Sequence, residues 1–258
     1  INKALRESKI VALHGLSGIG KSHLAKEICH WYLQRGSFSG GIIWSNLQAG
    51  GSYASVLEKL RLALRTAEVS EEGLRACLAS KPYLLILDSF ETAKEDSDLL
   101  SFLNNVPETT RVLITTVEFT DIGRRSPVWE MAPEDSFEYF RRRAEMAGWD
   151  GSGKELIPEI CGELGYVPLA IELMAPQAVS LPMNDILSKI RKSLSAIAAE
   201  PRRKDLPIRQ RGLEAALRVS YDPLKSQEKL VLAAMCVFPG DSCTEGISDV
   251  VGVSDVAS

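Results

Sequence analysis

Between residues 10 and 130 the chain alternates short runs of aliphatic and β-branched residues with longer stretches in which apolar side chains recur every three to four positions. That alternation is the sequence form of βαβ units and predicts a parallel sheet flanked by helices. The predicted strands are Ile10 to His14, Gly41 to Ser45, Tyr83 to Asp88, Arg111 to Thr115, and a weaker one near Val128 to Met131. The middle three are apolar throughout, so burial on both faces is expected of them. Helices are predicted at Lys21 to Gln34, Ala54 to Leu64, Glu71 to Ser80 and Asp96 to Asn104, with Gly36, Gly40, Gly50 and Gly51 punctuating the loops.

From Pro133 the strand signals stop and helical periodicity takes over. Pro133, Glu134 and Asp135 form an acidic helix start before Phe137 to Ala147. Further helices are predicted around Lys154 to Leu164, Leu169 to Val179 and Asp185 to Ala198. Pro201 to Pro207 is a charged, proline-bounded linker, and helices resume near Gly212 and Gln227. The expected organisation is an α/β nucleotide-binding domain over residues 1–132, a helical subdomain over 133–204 and a partial third domain over 205–258.

Composition narrows the class without naming a function. At 258 residues, with 45% hydrophobic and 25% charged residues, the chain has the make-up of an ordinary globular protein. Its mean hydropathy is -0.02. The longest apolar stretch, Leu230 to Phe238, falls far short of the roughly 20 residues that cross a bilayer. No segment reads as a signal peptide. The five cysteines, Cys29, Cys77, Cys161, Cys236 and Cys243, are odd in number and scattered, which points to a reducing, cytoplasmic setting without disulfides. His14, His23 and His30 lack the partner set that a transition-metal site needs. The net charge of -4 gives no global attraction for nucleic acid, and the local basic cluster Arg202, Arg203, Lys204, Arg209 and Arg211 reads as a solvated linker.

The chemistry is carried by Gly15-Leu16-Ser17-Gly18-Ile19-Gly20-Lys21-Ser22, which satisfies GxxxxGK[ST] directly after an apolar strand and at the start of a helix. Glycines let backbone N–H groups wrap phosphates, and the helix N-terminus favours negative charge. Lys21 is expected to reach the β- and γ-phosphates and the Ser22 hydroxyl to ligate Mg²⁺. Tyr83-Leu84-Leu85-Ile86-Leu87-Asp88 is an apolar strand ending in an acid, the form of a Walker B segment whose carboxylate orients the magnesium shell. With an extra strand lying between it and the P-loop, it points to the P-loop class that has an inserted central strand. An efficient ATPase wants a second acid to align the attacking water; Ser89 follows Asp88 and Glu91 is the nearest substitute, so slow turnover is expected.

The order of Ile19-Gly20-Lys21-Ser22, Ile42-Ile43-Trp44, Leu85-Ile86-Leu87-Asp88, Leu113-Ile114-Thr115-Thr116 and Val167-Pro168-Leu169-Ala170 resembles the NB-ARC family of STAND NTPases, and Leu87 to Glu91 looks most like its bacterial branch. The resemblance implies an ADP- or ATP-binding switch with Mg²⁺, resting with ADP and self-associating with ATP. It implies nucleotide contacts at Gly15, Gly18, Ile19, Gly20, Lys21, Ser22, His23, Thr116, Pro168 and Leu169, with Asp88 and Glu91 as catalytic candidates and Ser22 and Asp88 at the metal. Pro168 would pack on the adenine; from the residues alone it is a helix-starting proline. Leu217 to Leu224, followed by Leu232 to Pro239, is similar to the start of the family's winged-helix domain. The resemblance also implies an effector domain upstream and sensor repeats downstream of a fragment cut from a larger protein.

The chain departs from the family at two places. Where relatives carry Thr-Thr-Arg at the end of the fourth strand, this sequence reads Thr115-Thr116-Val117, so the arginine that senses the γ-phosphate is missing. Arg111 lies at the wrong end of that strand, while Arg124 and Arg125 follow in a loop expected to be able to approach the phosphates. The chain ends before the Met-His-Asp motif, whose histidine contacts the ADP β-phosphate in relatives. Two other classes stay open: a P-loop phosphotransferase with a helical lid, and a nucleotide-regulated DNA-binding activator, against which the acidic balance argues.

Overall fold

A computed structural model describes residues 1–235 apart from 49, 67–69, 202, 204 and 205. The chain forms two compact units, Ile1–Val128 and the residues from Trp129 onward. The first is built on a five-stranded sheet of β1 (Ile10–His14), β2 (Gly41–Asn46), β3 (Tyr83–Asp88), β4 (Arg111–Thr116) and β5 (Arg124–Pro127). Their order is β2-β3-β4-β1-β5 and every pairing is parallel. Strand β4 therefore lies between β1 and β3, the insertion expected from the order of the motifs.

Successive side chains of a strand face opposite ways, and each face is covered by its own helices. Ile10, Ala12, Leu85, Leu87, Val112 and Ile114 pack with Val56, Leu60, Leu78, Leu99 and Phe102 on one side. These last residues come from α3 (Tyr53–Leu64), α4 (Glu71–Ala79) and α5 (Ser97–Asn104). Val11, Leu13, Leu84, Ile86 and Leu113 face the other way, onto Leu5 of α1 (Asn2–Glu7) and Ala25, Ile28 and Tyr32 of α2 (Lys21–Gln34).

Three expectations change. Strand β2 is an edge strand, and of its residues only Ile43 and Ser45 are buried; an apolar run did not suffice for burial on both faces. The fifth strand is Arg124–Pro127 rather than Val128 to Met131, and it pairs with β1 from Val11↔Arg124 to His14↔Pro127. Gly123 brings the chain in early: its φ is +73°, and a Cβ there would lie 2.5 Å from the Ile10 carbonyl oxygen. Charged residues and a proline suit an exposed edge, which is why β5 lacks an apolar signature. Helix α1 was not anticipated, being a six-residue turn that buries only Ala4 and Leu5.

The second unit is helical among its described residues. It comprises α6 (Pro133–Ala147), α7 (Ile157–Glu163), α8 (Pro168–Met174), α9 (Met183–Ala199), α10 (Ile208–Tyr221) and α11 (Ser226–Met235). Pro133 starts α6 with Glu134 and Asp135 in its first turn, and Gly148 closes it at φ 104°. Two predicted helices are interrupted. Lys154–Leu156 is a 3-10 turn ahead of α7, and Ala175–Val179, which contains Pro176, is a 3-10 turn after α8. Helix α10 packs closely enough that a Cβ on Gly212 would sit 2.5 Å from the Leu164 backbone. Arg218 of α10 ties to Glu200 at 2.7 Å and Glu214 at 2.8 Å. The winged-helix resemblance past Met235 lies outside the described residues.

Asp96 joins two helices of the first unit: it accepts from the N–H groups of Asp98 and Leu99 as the cap of α5, and from Tyr53 N at 2.7 Å at the start of α3. The Tyr53 and Leu99 N–H groups hold its carboxyl below the usual range. Its stabilising effect is thus present above the unfolded-state pKa and lost as pH falls through the lower folded value. Asp96→Ala is expected to cost about 1 to 2 kcal/mol in urea unfolding, and Asp96→Asn, which keeps the acceptor, less.

Candidate functional site

The loop joining β1 to α2 is shaped by glycines that no other residue replaces without strain. Gly18 has φ 74° and Gly20 φ 95°, both left-handed. Gly15 is needed for space, since a Cβ would lie 2.6 Å from the Val128 carbonyl oxygen. Ile19 anchors the loop from beneath; its side chain is buried and its N–H closes on Leu16 O at 3.3 Å. His23 is exposed on the first turn of α2.

Lys21 is only 8% exposed, and its ammonium donates to Gly15 O and Leu16 O, each at 2.9 Å. Burial pushes its pKa down, opposed by the charges of Glu91 and then Asp88. The loop thus holds a buried cation whose counter-charges come from across the sheet.

The Ser22 hydroxyl donates to Asp88 Oδ1 at 2.6 Å, so the two residues expected at a metal are in contact. The topology explains the meeting: β4 fills the gap between β1 and β3, with Leu13 level with Thr115 and Leu87 level with Ile114. Thr115, which the sequence reading passed over in favour of Thr116, donates to the same Asp88 oxygen at 2.5 Å and accepts from Ser89 N at 2.9 Å. Thr116 is 2% exposed and its hydroxyl donates to Glu118 O. Which of the two threonines faces Asp88 follows from the pairing of β4 with β3.

Just past Asp88 the chain turns sharply. Ser89 stands at φ 63°, an uncommon conformation for a residue with a side chain, and leads into a 3-10 turn at Phe90–Thr92. Glu91 on that turn accepts from Val117 N at 3.2 Å. Arg124 and Arg125, expected in a loop near the phosphates, instead belong to β5: Arg124 pairs with Glu7 and Arg125 with Asp121. Arg111 donates to Leu5 O and Glu108 O, at the opposite end of its strand. In the second unit, Pro168 is the first residue of α8 and Leu169 the next, both partly buried; Gly165 and Tyr166 before them have φ values of 65° and 56°.

Among the described residues no three His, Cys, Asp or Glu side chains are placed to hold a metal by themselves. What the site offers is a hydroxyl and a carboxylate, hard oxygen donors too few to enclose an ion. That set fits Mg²⁺, which keeps several waters and takes the rest of its ligands from phosphates. Ser22 and Asp88 would hold it, and the ion would supply charge neutralisation.

Residues 1–140 match the NB-ARC domain family. The chain belongs to the NB-ARC family. A putative disease resistance protein of Arabidopsis thaliana is 26% identical over 175 residues, which are 65% of the NB-ARC chain and 27% of that protein. An uncharacterized protein of Mycobacterium tuberculosis is 26% identical over 270 residues, 99% of this chain and 67% of that one. The chain thus spans about a quarter of the first of these relatives and two thirds of the second. Of solved structures, Cdc6p from Pyrobaculum aerophilum superposes with a TM-score of 0.50 at 14% identity, over 98% of this chain and 76% of that one, a likeness of fold. Family and geometry together make this a nucleotide-binding P-loop unit.

If Thr115 serves Asp88, Thr115→Val should lower nucleotide affinity in the presence of Mg²⁺ by about tenfold, the worth of one hydrogen bond to a charged group. Affinity in EDTA should be unchanged. Equilibrium titration with a fluorescent adenine nucleotide measures both.

Proposed function

We propose that the NB-ARC chain is the nucleotide switch of a STAND signalling protein of the cytoplasm. ADP holds the resting state; exchange for ATP releases the chain for self-association, and hydrolysis is slow at most. The observation that supports this best is the convergence of Lys21, Ser22, Asp88 and Thr115 at one end of the sheet, where a phosphate chain and Mg²⁺ would be gripped. Ser89 in place of a second acid, and Glu91 engaged by Val117 N–H, support slow turnover. A switch of this kind works only through differential affinity of the nucleotide for two states. The effector and sensor parts belong to a longer protein.

Among the described residues, the phosphotransferase reading draws support from none beyond those of the switch. The DNA-binding reading loses part of its basic surface: Arg203 pairs with Glu200 and Glu214, and Arg209 pairs with Glu130 and stacks over Trp129.

Chromatography of the nucleotide released on denaturing the purified protein is expected to show ADP near one per chain. Lys21→Ala should weaken ADP and ATP alike by about a hundredfold, the loss of charge-assisted hydrogen bonds to phosphate, with the circular dichroism spectrum retained; binding that survives this change would refute the phosphate site. In the second unit, Pro168→Ala should reduce discrimination between ATP and GTP while sparing affinity for inorganic triphosphate. Unchanged discrimination would remove the adenine role from Pro168.

A further inference from the structure

Glu91 lies on a turn that is fastened on every side. Phe90 is fully buried, and Thr92 Oγ1 donates to Leu47 O at 2.8 Å and Ser89 O at 2.9 Å. Leu47 N in turn donates to Asp88 O, and Lys94 beyond the turn pairs with Glu118 at 2.5 Å, just past the end of β4. A half-exposed glutamate on a surface turn ordinarily swings into water. Here Val117 N–H, the first residue beyond β4, holds the carboxylate at the end of the sheet where the P-loop lies.

The charges around it are unevenly matched. Asp88 has the Ser22 and Thr115 hydroxyls and fits the magnesium shell. Lys21 is shared between the loop carbonyls and the fields of Glu91 and Asp88. The arginines of β4 and β5 are engaged elsewhere: Arg111 on Leu5 and Glu108 carbonyls, Arg124 on Glu7, Arg125 on Asp121. Val117 contributes an apolar side chain. A phosphate chain gripped by Lys21 therefore shares that cation's field with the Glu91 carboxylate, and Arg111, Arg124 and Arg125 have partners of their own.

We propose that Glu91 sets the nucleotide preference of the loop, its carboxylate disfavouring a triphosphate relative to a diphosphate. The inference rests on reading the loop as a nucleotide site. Unit charges several ångströms apart at a partly buried position interact strongly enough to change an affinity by about tenfold or more. The resting ADP state would then be written into the nucleotide unit itself.

Competition of ADP and ATP against a fluorescent adenine nucleotide, on the whole chain with Mg²⁺, gives the ratio of the two affinities. Wild-type protein is expected to hold ADP about tenfold more tightly than ATP. Glu91→Gln keeps an oxygen to accept from Val117 N–H and should bring the ratio near unity by strengthening ATP while ADP stays put. Val117→Arg, at a position 40% exposed, should shift the ratio the same way by adding a cation. A ratio that neither change moves overturns the proposal and leaves the phosphate site standing. So does a Glu91→Gln protein that loses its slow turnover at an unchanged ratio, since Glu91 would then act on water. Wild-type protein that binds neither nucleotide overturns the site reading, and this proposal with it.

Discussion

A buried carboxylate must find donors or give up its charge, and Asp88, 8% exposed, is where the first unit meets that demand. Its donors come from two other elements: the Ser22 hydroxyl from the head of α2 and the Thr115 hydroxyl from β4. Thr115 reaches it because β4 is inserted between β1 and β3 with the observed register. The hydrogen bonds therefore test the topology. A slip of one residue in β4 would turn Thr115 to the other face and put Ile114 or Thr116 in its row, leaving Asp88 one donor short. The same register brings Val117 to the place where Glu91 can accept from its N–H. The pairing of β4 with β1 and β3 thus places the Thr115 hydroxyl on Asp88 and the Val117 N–H on Glu91.

What the sequence disclosed follows from how local each signal is. The P-loop was legible because its glycines, lysine and serine act within eight consecutive residues, and the strand before and helix after were apolar at the right periods. Strands β3 and β4 were legible because a central strand buried on both faces must be apolar throughout. Edges obey a different constraint: β2 carries the same kind of run and is half-exposed, and β5 carries arginines and a proline that no strand rule rewards. Pro168 and the α6 start were readable because a proline at a first helical turn has a local cause. The 3-10 turn at Ala175–Val179 was missed although Pro176 was in plain view, because three-to-four spacing of apolar residues continues through it.

The candidate site residues divide the same way. Gly15, Gly18, Gly20, Lys21 and Ser22 could be named from the motif, and Asp88 from its strand. Thr115 could not, because the choice between adjacent threonines depends on which face of β4 looks toward β3, a fact of pairing. Ile19 and Thr116 were legible as positions and not as roles: both side chains are buried, and both serve to hold the backbone around the site. Arg124 and Arg125, placed by the sequence in a loop able to approach the phosphates, lie in β5 and pair with Glu7 and Asp121.

Lys21 shows how this arrangement bears on affinity. Its ammonium already has two carbonyl acceptors in the loop, so it is desolvated and satisfied before any phosphate arrives. An anion bound at the proposed phosphate site would exchange these neutral acceptors for charged ones, and charge-assisted hydrogen bonds are roughly twice as strong as neutral ones. The cost of burying the cation is met by folding, leaving binding free of it. Gly15 and Leu16, whose carbonyls such an exchange would free, are partly exposed residues. At the proposed phosphate site, the affinity gained therefore depends on the negative charge that Lys21 receives and on the charges of Glu91 and Asp88 that it already faces.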